Sequence, residues 1–265
     1  MRPLEPSTGQ SNGGVWITAD GHVAKRLVPG VTEPRHHAYW ERQALVAESG
    51  IVAGTPGLRS RCYLAVQREA DGITVVSEYV EPVEVDAARL AEALGRFGRV
   101  QVDEPPWSAR DVLRDRMAAV EARGGWEVLW DHVSGTLRDA LRRLWVRRFA
   151  ALAELDALPR VPTHGDAHPG NLSGWDGENV VAVDWEQFGV GPVGFDLGYL
   201  VVALPEHAAS MLAVDSVVRR GAVLTAAFTV ASRAAWSLGQ PDPGDHLERL
   251  RQLAYYIEEA SSQAL

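Results

Sequence analysis

Three residues within a short stretch of this chain have the chemistry of a phosphoryl-transfer site. Asp166 and Asn171 lie in His164-Gly165-Asp166-Ala167-His168-Pro169-Gly170-Asn171, and Asp184 follows the hydrophobic run Val180-Val181-Ala182-Val183. A hydroxyl attacking phosphorus must be aligned and must lose its proton, and a carboxylate in a tight loop can do both. That role falls to Asp166. Asn171 offers a neutral carbonyl oxygen and Asp184 a charged one. Hard Mg²⁺ on nucleotide phosphates accepts both kinds of ligand. Alone, each residue reads as a turn cap or a solvated side chain. Their order, carboxylate then amide then strand then carboxylate, favours the catalytic reading.

These groups need elements to position them. Pro169-Gly170 forces a turn, so Asp166 and Asn171 sit on a loop and not on one helix face. Residues 180–183 read as a buried strand that delivers Asp184 at its end. His164 and His168 have the spacing of a helical zinc pair, but Gly165, Pro169 and Gly170 argue against a helix and no Glu follows His164. Zinc is not expected. His164 is read as organising the loop, and His168 as either structural or in touch with substrate. Lys25 lies mid-strand, where an inward ammonium needs an anionic partner. Nucleotide phosphates and a helical carboxylate would serve. Glu41, in Tyr39-Trp40-Glu41-Arg42, is the better carboxylate candidate; Glu33, just before Pro34, is the weaker. Upstream, Ser7 to Gly14 is a run of small residues that lets backbone N–H groups approach phosphates.

The first eighty residues read as strand-rich. Residues 15–18 and 22–27 flank Ala19-Asp20-Gly21, and residues 62–67 and 73–79 flank Ala70-Asp71-Gly72, two hairpins with glycine turns. Helical character runs from Pro34 to Ser49, with Gly50 as the stop. After Glu81-Pro82 the pattern becomes helical, over 87–97, 109–123, 135–155, 217–237 and 245–260, with Ser108 and Ser134 as expected N-caps. The organisation is therefore α+β: a small β-rich lobe over 1–80 and a larger helical lobe over 81–265 that carries the catalytic loop.

The 265 residues suffice for two lobes with a sizeable core. A net charge of −9 argues against nucleic acid as a partner and is compatible with a cationic one. The single cysteine, Cys62, excludes an intrachain disulfide and a cysteine-rich zinc site. The chain starts without an apolar signal core and holds no apolar run of membrane-spanning length, so a soluble cytoplasmic protein is the expectation.

Together these residues resemble the aminoglycoside phosphotransferase and choline kinase-like family, which has a protein-kinase-like fold. His164-Gly165-Asp166-x-His168-x-x-Asn171 is similar to that family's catalytic loop, and Asp184-Trp185-Glu186 stands where protein kinases have Asp-Phe-Gly. Gly191 to Gly198 is similar to the following segment, in which Asp196 is implied to brace the loop without reacting. The resemblance implies that Lys25 contacts the α- and β-phosphates and pairs with Glu41. It implies that Ser77-Glu78-Tyr79-Val80 is the hinge, where the Glu78 carbonyl and the Val80 N–H meet the purine of ATP or GTP. Thr8 to Asn12, including Ser11, corresponds to the loop that covers the nucleotide. No Ala-Pro-Glu ending follows Asp184, which favours a small molecule over a protein substrate. The resulting expectation is an O-phosphotransferase that uses Mg²⁺-nucleotide on a hydroxylated, cationic small molecule, an antibiotic-inactivating kinase that confers resistance. Glu81, Glu84, Asp86, Asp131, Glu186 and Glu206 are the candidate amine contacts. The alternatives are a metabolite kinase for an amino alcohol or sugar, and a catalytically silent nucleotide-binding scaffold.

Overall fold

A computed structural model describes residues 2–4, 12–84, 86–172 and 174–262. The chain forms two compact units, one made of residues 1–112 with 161–191 and the other of 113–160 with 192–265. The segments bearing Asp166, Asn171 and Asp184 thus group with the strand-rich N-terminal region. The boundary expected near residue 81 falls inside the first unit.

The first unit is built on β1 (Arg2–Pro3), β2 (Asn12–Ile17), β3 (Val23–Leu27), α1 (Arg42–Ser49), β4 (Leu58–Ser60), β5 (Tyr63–Glu69), β6 (Gly72–Ser77) and α2 (Ala87–Phe97). It is completed by β7 (Arg160–Thr163), β8 (Gly174–Asp176), β9 (Asn179–Ala182) and β10 (Gly189–Pro192), with β7 and β10 ending at the unit boundary. Five strands make an antiparallel sheet in the order β1-β2-β3-β6-β5. Both expected hairpins are there. Thr18 N–H donates to the His22 carbonyl across the first turn, and Glu69 pairs with Gly72 at the second. β3 is central, with Lys25 opposite Val15 on one side and Val75 on the other. Side chains alternate along a strand, so Lys25 shares a face with Leu27. Leu27, Ala44, Ile73 and Val75 form a buried cluster flanked by Trp40 and Tyr63, which brings α1 onto this sheet. A second sheet, β4-β9-β8, carries the strand that leads to Asp184.

α1 is shorter than expected. Residues 34–41 form turns and a bend and not a helix, and the Pro34, His36 and His37 carbonyls accept hydrogen bonds from the Arg42 guanidinium. The C-terminus follows the expectation: Gly50 is left-handed and its N–H donates to the Val46 carbonyl. α2 has the predicted bounds and is capped by Asp86, whose carboxylate accepts from Arg89 N–H. Ser108 caps no helix; its hydroxyl donates to the Pro105 carbonyl and accepts from Arg35.

The second unit is helical: α3 (Val112–Glu121), starting at the boundary, then α4 (Gly135–Val146), α5 (Arg148–Asp156), α6 (Phe195–Ala203), α7 (Ala208–Met211), α8 (Ser216–Ser237), α9 (His246–Gln252) and α10 (Ala254–Ser262). Ser134 precedes α4 but makes no side-chain cap. The single helix expected over 135–155 breaks at Arg147, where the Arg148 side chain takes the Trp145 carbonyl. The stretch expected over 245–260 likewise breaks at Leu253. α6 is buried along its whole length to Val202, so it shows no amphipathic period. It packs on α8 at Gly198, where an added Cβ would lie 2.6 Å from the Ala222 carbonyl oxygen. Trp126 packs on Phe228 and Trp145 in the same unit. Among the described residues no helix is long and apolar enough to cross a membrane.

Gly198→Ala is expected to push α6 from α8 and cost about 1–3 kcal/mol. That corresponds to a fall of several degrees in the thermal midpoint followed by circular dichroism.

Candidate active site

The loop between β7 and β8 is held by its own backbone. His168 N–H donates to the Asp166 carbonyl (3.0 Å), and Asn171 N–H to the His168 carbonyl (2.9 Å). The Asn171 side-chain amide also donates to the Asp166 carbonyl (3.0 Å). That bond consumes an N–H of the amide and leaves Oδ1 as the atom Asn171 can present to a cation. Asp166 is therefore fixed by its main chain while its carboxylate stays partly exposed, at 25 %.

Val183 joins this loop to the second metal-ligand candidate. Its N–H donates to the Asn171 carbonyl (2.9 Å), and its own carbonyl accepts from His164 Nε2 (2.8 Å). Asp184 comes next. It is the only non-glycine residue with positive φ among the described residues, at φ 60° and ψ 58°. Such backbone costs about 1–3 kcal/mol and persists only where its surroundings over-determine it. The flanks supply that constraint: Val183 is held on both sides, and buried Trp185 donates its indole N–H to the Ala182 carbonyl (3.0 Å).

His164 is fully buried and tilted against the Trp185 ring at 4.6 Å. Its Nδ1 accepts from Asp166 N–H (3.3 Å) while Nε2 faces the Val183 carbonyl. Only the neutral ring with its proton on Nε2 satisfies both bonds. Burial accordingly lowers its pKa, outweighing the Val183 hydrogen bond. His168 Nδ1 accepts from Gly170 N–H (3.2 Å), and its Nε2 lies 3.8 Å from an Asp166 carboxylate oxygen. His168 is thus a direct neighbour of the hydroxyl-orienting candidate, a point the sequence left open.

Lys25 lies on the central strand of the five-stranded sheet. Its ammonium donates to Asp184 Oδ1 (2.7 Å) and Gln43 Oε1 (3.0 Å), and pairs with Glu186 Oε1 (2.5 Å). Burial alone would depress the Lys25 pKa, but the Asp184 and Glu186 charges more than offset it, and the net shift is upward. Burial would raise the Asp184 pKa; the charge and hydrogen bond of the Lys25 ammonium, with Arg61 beyond it, hold it down instead. Both groups are therefore charged near neutrality. Arg61 sits close enough to Asp184 to feel its charge, and the neighbouring Tyr63 phenol is pushed up to about 12 by burial.

The expected Lys25–Glu41 pair does not form. Glu41 precedes the first turn of α1 and pairs with Arg68 (2.6 Å), which also takes Glu48. Gln43 is the inward-facing residue of that turn, with Ala44 and Val46 buried beside it. The missing signal was helix register: with the helix starting at Arg42, the sheet-facing position is 43. Arg42 was also missed. It is wholly buried, and its guanidinium donates to the carbonyls of Pro34, His36, His37, Trp107 and Glu186.

Other expected positions scatter. Glu78 and Val80 follow β6 where the chain leaves the sheet; Glu78 N–H donates to the Cys62 carbonyl, and Val80 packs over Gly174. Asn12 lies at the start of β2, paired with Leu27, while Ser11 lies outside the described residues, as does most of the loop from Thr8. Asp196 is buried in the first turn of α6, in the second unit, where a carboxylate complements the helix dipole. Of the amine-contact candidates, Asp86 caps α2 and Glu186 pairs with Lys25. Asp131 and Glu206 belong to the second unit. An amide oxygen and a carboxylate on facing segments form a hard-oxygen donor set, which fits Mg²⁺ and not a thiophilic metal.

Gly165 has φ 85°, and an added Cβ would lie 2.4 Å from the Gln187 carbonyl oxygen. Gly165→Ala is expected to cost about 1–3 kcal/mol from the backbone conformation alone, measurable by urea unfolding. His164 should titrate below its ordinary value. Its contribution to stability is complete above about pH 6.5 and is lost as the pH falls from there. Nitrogen-15 NMR should show the Nε2-protonated neutral ring persisting where a free imidazole is already protonated; a ring titrating near 6.5 contradicts the assignment.

Residues 5–236 match the Phosphotransferase enzyme family. No curated protein matches the chain. Among solved structures it is similar to a choline/ethanolamine kinase family protein from Mesorhizobium loti (21 % identity, 99 % of this chain and 88 % of that one, TM-score 0.60). It is similar to the choline kinase LicA from Streptococcus pneumoniae (15 %, 98 % and 92 %, TM-score 0.55). A third is the ADP-bound aminoglycoside phosphotransferase APH(2'')-Ib (13 %, 98 % and 93 %, TM-score 0.55). At these identities the likeness speaks for the fold, which is α+β and protein-kinase-like. The family match covers most of the chain and carries the rest: this protein belongs to the Phosphotransferase enzyme family.

Proposed function

We propose that this phosphotransferase moves the γ-phosphoryl group of Mg²⁺-nucleotide to a hydroxyl of a small cationic molecule. The observation that carries the reading is the pair of ties through Val183, which couple the Asp166–Asn171 loop to Asp184, with Lys25 bonded to Asp184. Asp166 orients the acceptor hydroxyl and takes its proton as the new O–P bond forms and the bond from the γ-phosphorus to the β–γ bridging oxygen breaks, releasing nucleoside diphosphate. Lys25 donates to phosphate oxygens. Asn171 Oδ1 and the Asp184 carboxylate hold the divalent cation, which when bound neutralises phosphate charge. Glu78 and Val80 meet the base. Most of the rate comes from alignment and charge placement that exist before substrate arrives.

The net charge of −9 supports a cationic acceptor. Similar structures include an amicoumacin kinase in complex with AMP-PNP, Ca²⁺ and its ligand, and the choline and aminoglycoside kinases named above. An antibiotic is the acceptor we favour, over an amino alcohol.

The test is turnover of Mg²⁺-ATP and Mg²⁺-GTP against a panel of aminoglycosides, basic peptides and amino alcohols, with the product identified by mass spectrometry. A phosphorylated antibiotic is expected. A phosphorylated amino alcohol alone moves the assignment to metabolism, and nucleotide binding without turnover on any acceptor contradicts it. Asp166→Ala is expected to lower kcat by about 10²–10⁴-fold with nucleotide affinity nearly unchanged.

A further inference from the structure

The charge that holds Lys25 does not come from the helix. α1 offers Gln43 Oε1 at 3.0 Å, a dipole and not a charge. The carboxylates are Asp184 at 2.7 Å and Glu186 at 2.5 Å. In the function proposed above, Asp184 also serves a cation and so divides its charge. Glu186 is the second carboxylate on Lys25, which is only 4 % exposed. A buried ammonium that loses such a partner is strongly destabilised.

Glu186 is built to stay in place. It lies in a 3₁₀ turn, Trp185–Gln187, anchored by the buried Trp185 indole. Its own carbonyl accepts from Arg42 Nη1 (2.7 Å). Arg42 is the first residue of α1 and gathers four further carbonyls from the turns before the helix and from Trp107. The helix therefore reaches Lys25 by two routes: a direct but neutral one through Gln43, and a charged one through Arg42 and Glu186.

We infer that Glu186 is a positioning residue for nucleotide, which fixes the Lys25 ammonium for phosphate contact in place of a helical carboxylate, with Arg42 as the strut that ties it to α1. The inference rests on the function proposed above. It excludes Glu186 as a contact for a cationic acceptor.

The test uses isosteric exchange and relocation of the charge. Glu186→Gln keeps shape and removes charge; Gln43→Glu with Glu186→Gln puts a carboxylate back on the other side of Lys25. Glu186→Gln is expected to lower kcat/KM for nucleotide by about tenfold or more, a loss of roughly 1.4 kcal/mol. KM for the acceptor should be unmoved. The double variant should recover most of the loss, which a merely structural role would not allow. Wild-type kcat/KM in Glu186→Gln, or no recovery in the double variant, overturns the inference, as does a raised acceptor KM.

Should the wild-type protein turn over no nucleotide, the function proposed above fails, and thermal melting decides the pairing separately. Glu186→Gln should lower the midpoint by about 2–4 °C per kcal/mol lost, and should have little effect in the Lys25→Met background. Equal losses in both backgrounds overturn the pairing.

Discussion

A single buried ammonium organises the first unit. Lys25 sits on the central strand of the sheet, and its charge would be prohibitive there without partners. Its partners come from three places: the α1 helix through Gln43, the end of the segment after β9 through Asp184, and the following turn through Glu186. Sheet, helix and catalytic segments must therefore agree on one geometry. The strain at Asp184 is borne because Val183 and Trp185 are fixed on either side of it. The same constraint prepares the chemistry. In the function we propose, the cation for phosphate and the carboxylate for metal are Lys25 and Asp184, which lie 2.7 Å apart.

The loop bearing Asp166 and Asn171 was legible as a loop because Pro169-Gly170 marks a turn, and its chemistry is dense. A carboxylate, an amide and a second carboxylate, separated by a Pro-Gly turn and a strand, leave few other readings. The hairpins were legible because glycine turns act locally. Glu41 failed for a tertiary reason. A carboxylate near the start of a helix looks right for Lys25, but Arg68 on β5 claims it, and the long-range pairing of β5 with β6 leaves no local trace. The same holds for the true start of α1. The carbonyls before it are drawn to Arg42, a buried cation whose acceptors span residues 34 to 186. α6 went unseen because a helix buried on every side has no polar face to mark its period.

Glu186 shows how a residue's role can move along the chain. As a sequence position it was one acidic residue among several that could meet an amine. In the structure it is the second carboxylate on Lys25, and its backbone is gripped by Arg42 of the helix that supplies no carboxylate to Lys25. Family membership accounts for the reaction class. The internal balance of charges around Lys25 accounts for how this chain keeps a buried ammonium fixed on its central strand.

The most direct measurement replaces Mg²⁺ by Mn²⁺ and follows its binding by electron paramagnetic resonance, with and without nucleotide, independently of any acceptor. The account predicts nucleotide-dependent Mn²⁺ binding to the wild-type protein that is lost in Asp184→Ala and weakened in Asn171→Ala. Mn²⁺–nucleotide binding that survives both substitutions would contradict it.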